Sequence, residues 1–181
     1  MKWLVRIFLT LVVLVAVCFV VLFALSRRPG AGASQLSVEI AQPPEVVWAW
    51  ITEPDKLTQW VGWLVAVESD TATPRGVGHR EVWVMSDPNM DKPMRIPAVV
   101  TEEDAPRTGA ARLEMPGAFV GDVRYTLVDL GGGRTRLTQA TRFRYTNPGF
   151  ALMEPLLSPQ ARKKQQADFA RLKAKAEAAA P

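Results

Sequence analysis

The 181 residues contain a single histidine, His79, and it stands two positions before Glu81. In an extended strand alternate side chains share a face, so His79, Glu81, Trp83 and Met85 point the same way. An imidazole beside a carboxylate is a minimal acid–base pair, in which the ring can carry a proton near neutral pH while the carboxylate orients it. If that face points inward, Tyr125, Gln139, Thr141 or Tyr145 comes into reach as a further polar partner. If it points outward, the pair is simply solvated. An i, i+2 spacing carries no further catalytic signature. His79 and Glu81 are therefore the only catalytic candidates, and the expectation leans towards a protein that is not an enzyme.

Other chemistries are excluded by composition. Cys18 is the one cysteine and lies inside an apolar run, so a disulfide, a thiolate metal cluster or a cysteine nucleophile is not available to the rest of the chain. One histidine leaves no basis for a multi-histidine metal site; neither metal nor cofactor is expected. The triplet Gly131-Gly132-Gly133 sits between strand-like segments and reads as a turn, not as a phosphate loop opening a helix. The net charge of +4 comes from 22 basic and 18 acidic residues. Four of the basic ones, Lys2, Arg6, Arg27 and Arg28, flank the apolar run, and no acidic residue precedes Glu39, so the remainder balances at 18 against 18. A nucleic-acid partner would need a basic patch on the domain itself, so none is expected.

The apolar run, Ile7 to Leu25, is uncharged and long enough to cross a hydrocarbon core, which takes about 20 helical residues. A cleaved signal peptide would have a shorter apolar core with a small-residue cleavage site close behind. Here Arg27-Arg28-Pro29 intervene before Ala31-Gly32-Ala33. The expected organisation is a transmembrane anchor with basic flanks over residues 1–28, a Gly-rich linker over 29–34 and one domain over 35–179. The flanking charges are nearly even, and the expected orientation places the N-terminus inside and the domain outside.

Within the domain, Leu36, Val38 and Ile40 alternate with polar residues as in a half-buried strand. Pro43-Pro44-Glu45 opens a helix, Glu53-Pro54-Asp55 ends it, and a second short helix follows to Trp60. Six strands are expected over 63–69, 78–85, 94–103, 110–115, 122–130 and 135–145, separated by turns at Thr73-Pro74-Arg75-Gly76, Ser86-Asp87-Pro88-Asn89, Asp104-Ala105-Pro106, Pro116-Gly117 and the triple glycine. Arg136, Arg142 and Arg144 share the face of the last strand that reads as solvated. Ser158-Pro159 reads as the start of a final helix, with Ala161, Gln165, Phe169, Leu172 and Ala176 at helical spacing. Phe150 to Leu157, broken by Pro155, is a greasy lead-in. The fold class is α+β, a curved antiparallel sheet of about seven strands wrapped on a long C-terminal helix, plus an N-terminal transmembrane helix. A cavity is expected between that helix and the sheet.

The opening VEIAQPPEVVWAWITEPDKLTQW (with Pro43, Pro44, Val47, Trp48, Asp55, Leu57 and Trp60), then GVGHREVWVM, GGGRTRLTQATRF and ADFARLKAKAE in a final helix, resembles the START/Bet v1-like superfamily. Its bacterial members are described as SRPBCC or polyketide cyclase/dehydrase-like. The resemblance covers roughly Gln35 to Glu177 and implies a helix-grip fold around a cavity for a small hydrophobic ligand or lipid. The anchor lies outside the resemblance; its expected place is a bacterial inner membrane, with the domain on the periplasmic or extracellular side. Trp48 and Trp60 are expected to pack between the small helices and the sheet, and Trp50 and Trp63 to line the cavity mouth. Trp83, Met85, Tyr125, Gln139, Thr141, Phe143 and Phe169 are the other lining candidates. Three function classes follow: a membrane-anchored binder of a hydrophobic ligand, a cyclase/dehydratase-like or hydrolase enzyme using the same cavity, and an interaction module whose cavity is filled.

Overall fold

A computed structural model describes residues 2–72, 74–87 and 91–179. Parts of two expected turns, at Thr73 and at Pro88-Asn89, lie outside the described residues. Helix α1 (Lys2–Ser26) is 25 residues long with no buried residue, and it is long and apolar enough to cross a membrane. At 1.5 Å per residue it extends for about 38 Å.

The domain begins with β1 (Ala33–Ile40), two residues before the expected strand, and continues through α2 (Pro44–Thr52) and α3 (Pro54–Trp60). Strands β2 (Leu64–Ser69), β3 (Arg80–Met85), β4 (Met94–Asp104), β5 (Thr108–Met115), β6 (Phe119–Gly131) and β7 (Arg134–Tyr145) follow, then α4 (Pro148–Ala178). All seven strands form one sheet in the order β1-β7-β6-β5-β4-β3-β2, and every pairing is antiparallel. From β2 to β7 the chain is a simple meander. The two edge strands, β1 and β2, are consecutive in sequence, so α2 and α3 must carry the chain from one edge of the sheet to the other. With α4 they cover the inner face, which is the helix-grip arrangement.

The core follows the strand alternation. Ile40, Ile96, Ala98, Leu113, Val123, Leu127 and Leu137 from the sheet meet Val47, Trp50, Ile51, Leu57 and Trp60 of the short helices and Phe169, Leu172 and Ala176 of α4. Trp60 is 2% exposed, its ring lies 6.3 Å from that of Phe169, and its indole N–H donates to the carbonyl of Trp50 at 2.8 Å. The outer face is polar and crossed by ion pairs such as Arg136–Glu39 and Arg112–Asp122. Such exposed pairs each contribute little.

Two features differ from the sequence reading. Helix α4 begins at Pro148, ten residues before Ser158, and runs through both Pro155 and Pro159. Asn147 is its N-cap, accepting from Gly149 N at 2.8 Å, and Pro148 occupies the first position, where its missing N–H leaves no bond unmade. Ser158 donates to the Glu154 carboxylate one turn back instead of capping. Trp63 is the second difference. It is 49% exposed, with φ of 74° in the loop before β2, and the Lys164 ammonium sits 4.6 Å from its ring centroid. It covers α4 from outside and does not reach the inner face.

Two buried carboxylates lock α4 in place. Asp168 accepts from Gly62 N at 3.1 Å and Lys164 Nζ at 2.8 Å, and is paired with Arg171. A Cβ on Gly62 would meet Arg171 Nη2 at 2.5 Å and Asp168 Oδ1 at 3.0 Å, so a side chain here would push the guanidinium off the carboxylate. Glu154, 2% exposed, accepts two bonds from Arg28 at 2.8 and 3.1 Å and one from Gly32 N at 3.1 Å. Burial pushes the Glu154 carboxyl up, but the bonds from Ser158, Gly32 and Arg28, with the Arg28 charge, outweigh it and hold the group below its ordinary value of 4.5. This contribution to stability is present above that value and is lost as pH falls through the depressed one.

Two outcomes are expected. Trp60→Ala should destabilise the folded chain in detergent by about 3–5 kcal/mol, whereas Trp63→Gly, which relieves the left-handed backbone and gives up an exposed cation–π contact, should change stability by no more than about 1 kcal/mol; near-UV circular dichroism in denaturant measures both. Arg28→Ala should cost about 1–2 kcal/mol at neutral pH, and the gap in melting temperature from the parent should close as the pH is lowered below the ordinary carboxylate range.

Candidate ligand pocket

The inner face is not fully covered. Helix α4 packs over β1 and β7 and against α2 and α3, and Phe169, Leu172 and Ala176 are buried there without a gap. Where α2 and α3 pass over the other half of the sheet, a pocket of about 120 Å³ remains. Its walls are Trp48, Ile51 and Thr52 of α2, Leu57 of α3, Trp83 of β3, Val100 of β4, Ala110 and Ala111 of β5, and Val123 and Tyr125 of β6. Arg75, Gly76, Glu102 and Glu103 lie at its polar side. The expected cavity against the C-terminal helix is thus displaced: no α4 residue lines the pocket. Phe169, Leu172 and Ala176, the α4 side chains that could have left space, are the ones that fill it.

The β3 face that carries His79, Glu81 and Trp83 does point inward. Glu81 and Trp83 lie opposite Ala98 and Ile96 of β4, both buried. His79, just before β3, is 5% exposed and fixed by its backbone, donating to Gly76 O at 3.0 Å and accepting from Val100 N at 2.9 Å. Its Nε2 stands 3.9 Å from Glu81 Oε1, beyond hydrogen-bond length, while the Trp83 indole donates to Glu81 Oε2 at 3.1 Å. All three side chains line the pocket. One carboxylate oxygen is therefore anchored by a wall residue and the other faces the imidazole.

A second polar group closes the floor. Tyr125 and Gln139 are directly paired across β6 and β7, and Gln139 Nε2 donates to the Tyr125 hydroxyl at 2.9 Å. Gln165 of α4 donates to Gln139 Oε1 at 2.7 Å, and Ser34 donates to Gln165 Oε1 at 3.0 Å. This relay fixes the tyrosine oxygen as an acceptor towards Gln139 and leaves its proton for another acceptor. Burial pushes the Tyr125 phenol well above its usual range; the Gln139 bond opposes this and the Asp168 charge adds to it.

The remaining sequence candidates are elsewhere. Trp50 and Phe169 are core residues at 6% and 4% exposure, not mouth or lining residues. Met85 is half-buried against the core and does not line the pocket. Thr141 bonds Ser34 O at 3.5 Å at the β1 edge, and Phe143 lies over Gly121 and meets Phe119 edge-on at 5.4 Å. Trp63 is on the surface, as described. Of the nine lining candidates, Trp83 and Tyr125 reach the pocket, and Gln139 acts on it through Tyr125. Sequence reasoning missed Trp48 and Gly109. A Cβ on Gly109 would stand 3.0 Å from the Trp48 ring, so glycine makes room for that wall. A glycine inside a strand pattern marks such close approaches, and Gly109 was the available signal.

The chain has two tyrosines. Burial also raises Tyr145, helped by the Glu154 charge. A phenol with a raised value stays neutral in the folded state while the unfolded chain ionises near pH 10, so stability declines as pH rises above that point. Alkaline titration followed at 295 nm should show tyrosinate only together with unfolding. A reversible tyrosinate step of both residues near pH 10 in the folded protein would contradict the burial of Tyr125.

Comparisons with known proteins accord with this architecture. No curated protein matches the chain. A solved structure from Thermus thermophilus superposes with a TM-score of 0.66 at 18% identity, covering 82% of this chain and 99% of that one. A Nitrosomonas europaea structure gives 0.62 at 18% identity, covering 81% and 95%. The di-domain ARO/CYC BexL of the BE-7585A biosynthetic pathway gives 0.61 at 14% identity, covering 78% of this chain and 45% of that one. At such identities the likeness speaks for the fold. The family described as "Polyketide cyclase / dehydrase and lipid transport" matches residues 33–177, from the first residue of β1 into the last turns of α4, and the chain belongs to that family.

Proposed function

We propose that the protein is a membrane-anchored binding protein for a small hydrophobic ligand, held between α2–α3 and strands β3 to β6. The observation that carries this reading is the pocket itself: tryptophan and aliphatic walls with a few fixed polar groups at one side, the composition expected of a ligand site. Its size narrows the class. About 120 Å³ is close to the volume of an engineered apolar cavity that accepts benzene, so the enclosed part of the ligand is a single ring or a short branched chain. A two-chain lipid does not fit inside. The Tyr125 hydroxyl at the floor and the His79–Glu81 pair in the wall suit a ligand bearing an oxygen function. The length and apolar character of α1 support the anchor.

A second reading draws on one specific observation. His79 and Glu81 both line the pocket, and His79 is buried, the arrangement required if the site performs proton transfer, as in a dehydration or cyclisation. Both readings use the same pocket and differ in whether the ligand leaves changed.

Native mass spectrometry of the detergent-solubilised chain, with organic extraction of co-purifying molecules, should reveal a bound ring-containing or short-chain compound. Gly109→Val, which pushes into Trp48, should abolish that mass difference with the melting transition preserved. His79→Ala should leave ligand occupancy largely intact. A ligand recovered from His79→Ala in unreacted form, and from the parent as its isomer or dehydration product, would establish the catalytic reading. An empty pocket in the parent, with no uptake from a mixed extract of small apolar compounds, would refute both.

A further inference from the structure

The first half of α4 carries Phe150, Met153, Leu156 and Leu157, which are 48%, 43%, 50% and 38% exposed. At about 100° per residue these four fall within one-third of the helix circumference. Glu154, on the side facing the domain, is buried. Outside α1, the other large apolar side chains exposed among the described residues, Trp63, Val65, Val77 and Val128, are scattered over other elements. Scattered singles need no explanation, whereas a stripe of four on one helix face does.

The position of the stripe points to what covers it. The Arg28 guanidinium donates to the Leu25 carbonyl at the end of α1 and also to Glu154, which lies in the same turn of α4 as Met153 and Leu157. One side chain therefore touches both the end of the apolar helix and the turn that bears the stripe. Arg27, stacked 4.5 Å over the Phe23 ring, marks the level at which α1 turns from apolar to charged. Lys163, exposed, follows the stripe on the same side of α4. An apolar stripe beside basic residues, at the level where an apolar helix ends, has the composition of an interfacial segment.

We propose that the first half of α4 lies in the interfacial layer of the same bilayer that α1 crosses, its four apolar side chains below the phosphates and Arg27 and Lys163 at anionic headgroups. The proposal rests on the reading of α1 as a membrane anchor. It means the domain is held to the membrane at two adjoining places and does not swing on a free linker.

The test uses the full chain with Cys18→Ser as background and single labels at Leu156→Cys, Ala174→Cys and Val13→Cys. Each carries an environment-sensitive fluorophore and is reconstituted into vesicles of phosphatidylcholine and phosphatidylglycerol containing lipids spin-labelled at shallow or deep positions. The label at position 156 should be quenched several-fold more strongly than that at position 174 by the shallow spin label, and the label at position 13 by the deep one. Deep quenching at position 13 with no difference between positions 156 and 174 overturns the docking and leaves the anchor standing. A label at position 156 that is blue-shifted but unquenched assigns the stripe to a second copy or another protein, and also overturns it. Absence of deep quenching at position 13 removes the anchor and the inference with it.

Discussion

The architecture turns on the burial of one indole. Trp60 ends α3, donates its N–H to the last turn of α2 and lies against Phe169 of α4, so one ring ties together three helices that also touch pairwise. A large aromatic can do this because it buries extensive apolar surface while its single polar atom finds a partner. With that corner fixed, α2 and α3 form a bridge held at its α4 end and supported elsewhere only by the sheet. The pocket is the space under the unsupported part. Large aromatic surface beside one early helix thus divides into a keystone, Trp60, and a wall, Trp48. The difference between them is which side of the bridge they face.

Much of this was legible in the chain. All seven strands were located by period-two alternation and turn residues, and the match is close because a meander of half-buried strands satisfies both signals at every step. The helix-grip arrangement follows from the order of elements with little freedom left. What was not legible has specific physical causes. Asn147-Pro148 and Ser158-Pro159 are equally good helix starts by local rules, and local rules cannot choose between them. The choice is made by Glu154, which must be on the helix to meet Arg28 and Gly32, partners more than a hundred residues away. Likewise the inward direction of Glu81 depends on its pairing with Ala98 across β3 and β4, a register that an isolated strand does not encode.

The candidate site was read less completely than the fold. Trp83 and Tyr125 line the pocket on the faces that strand alternation assigns to them. Trp50 and Phe169 pack in the core outside the pocket, and sequence does not separate them from lining residues because an apolar residue near a cavity and one filling it have the same sequence signature. Only packing separates them: Phe169 meets Trp60 and closes the space under α4, while Trp48 meets a strand glycine and leaves space beside it. The polar relay from Ser34 through Gln165 and Gln139 to Tyr125 joins β1, α4, β7 and β6. No spacing rule could have joined those four positions.

The Arg28–Glu154 contact has a consequence for maturation of the chain. A leader peptidase cutting after Ala33 would discard the guanidinium and the Gly32 amide, two of the three groups that neutralise or bond that carboxylate. The remaining acid would keep only the Ser158 bond and lose the charge that holds it ionised inside the fold, because a carboxylate at such a site is disfavoured without its partner. The same cut would free Phe143 N, which donates to Gly32 O at 2.8 Å, and fray the β1–β7 edge. The segment between helix and sheet therefore behaves as a strut whose removal the folded domain would register.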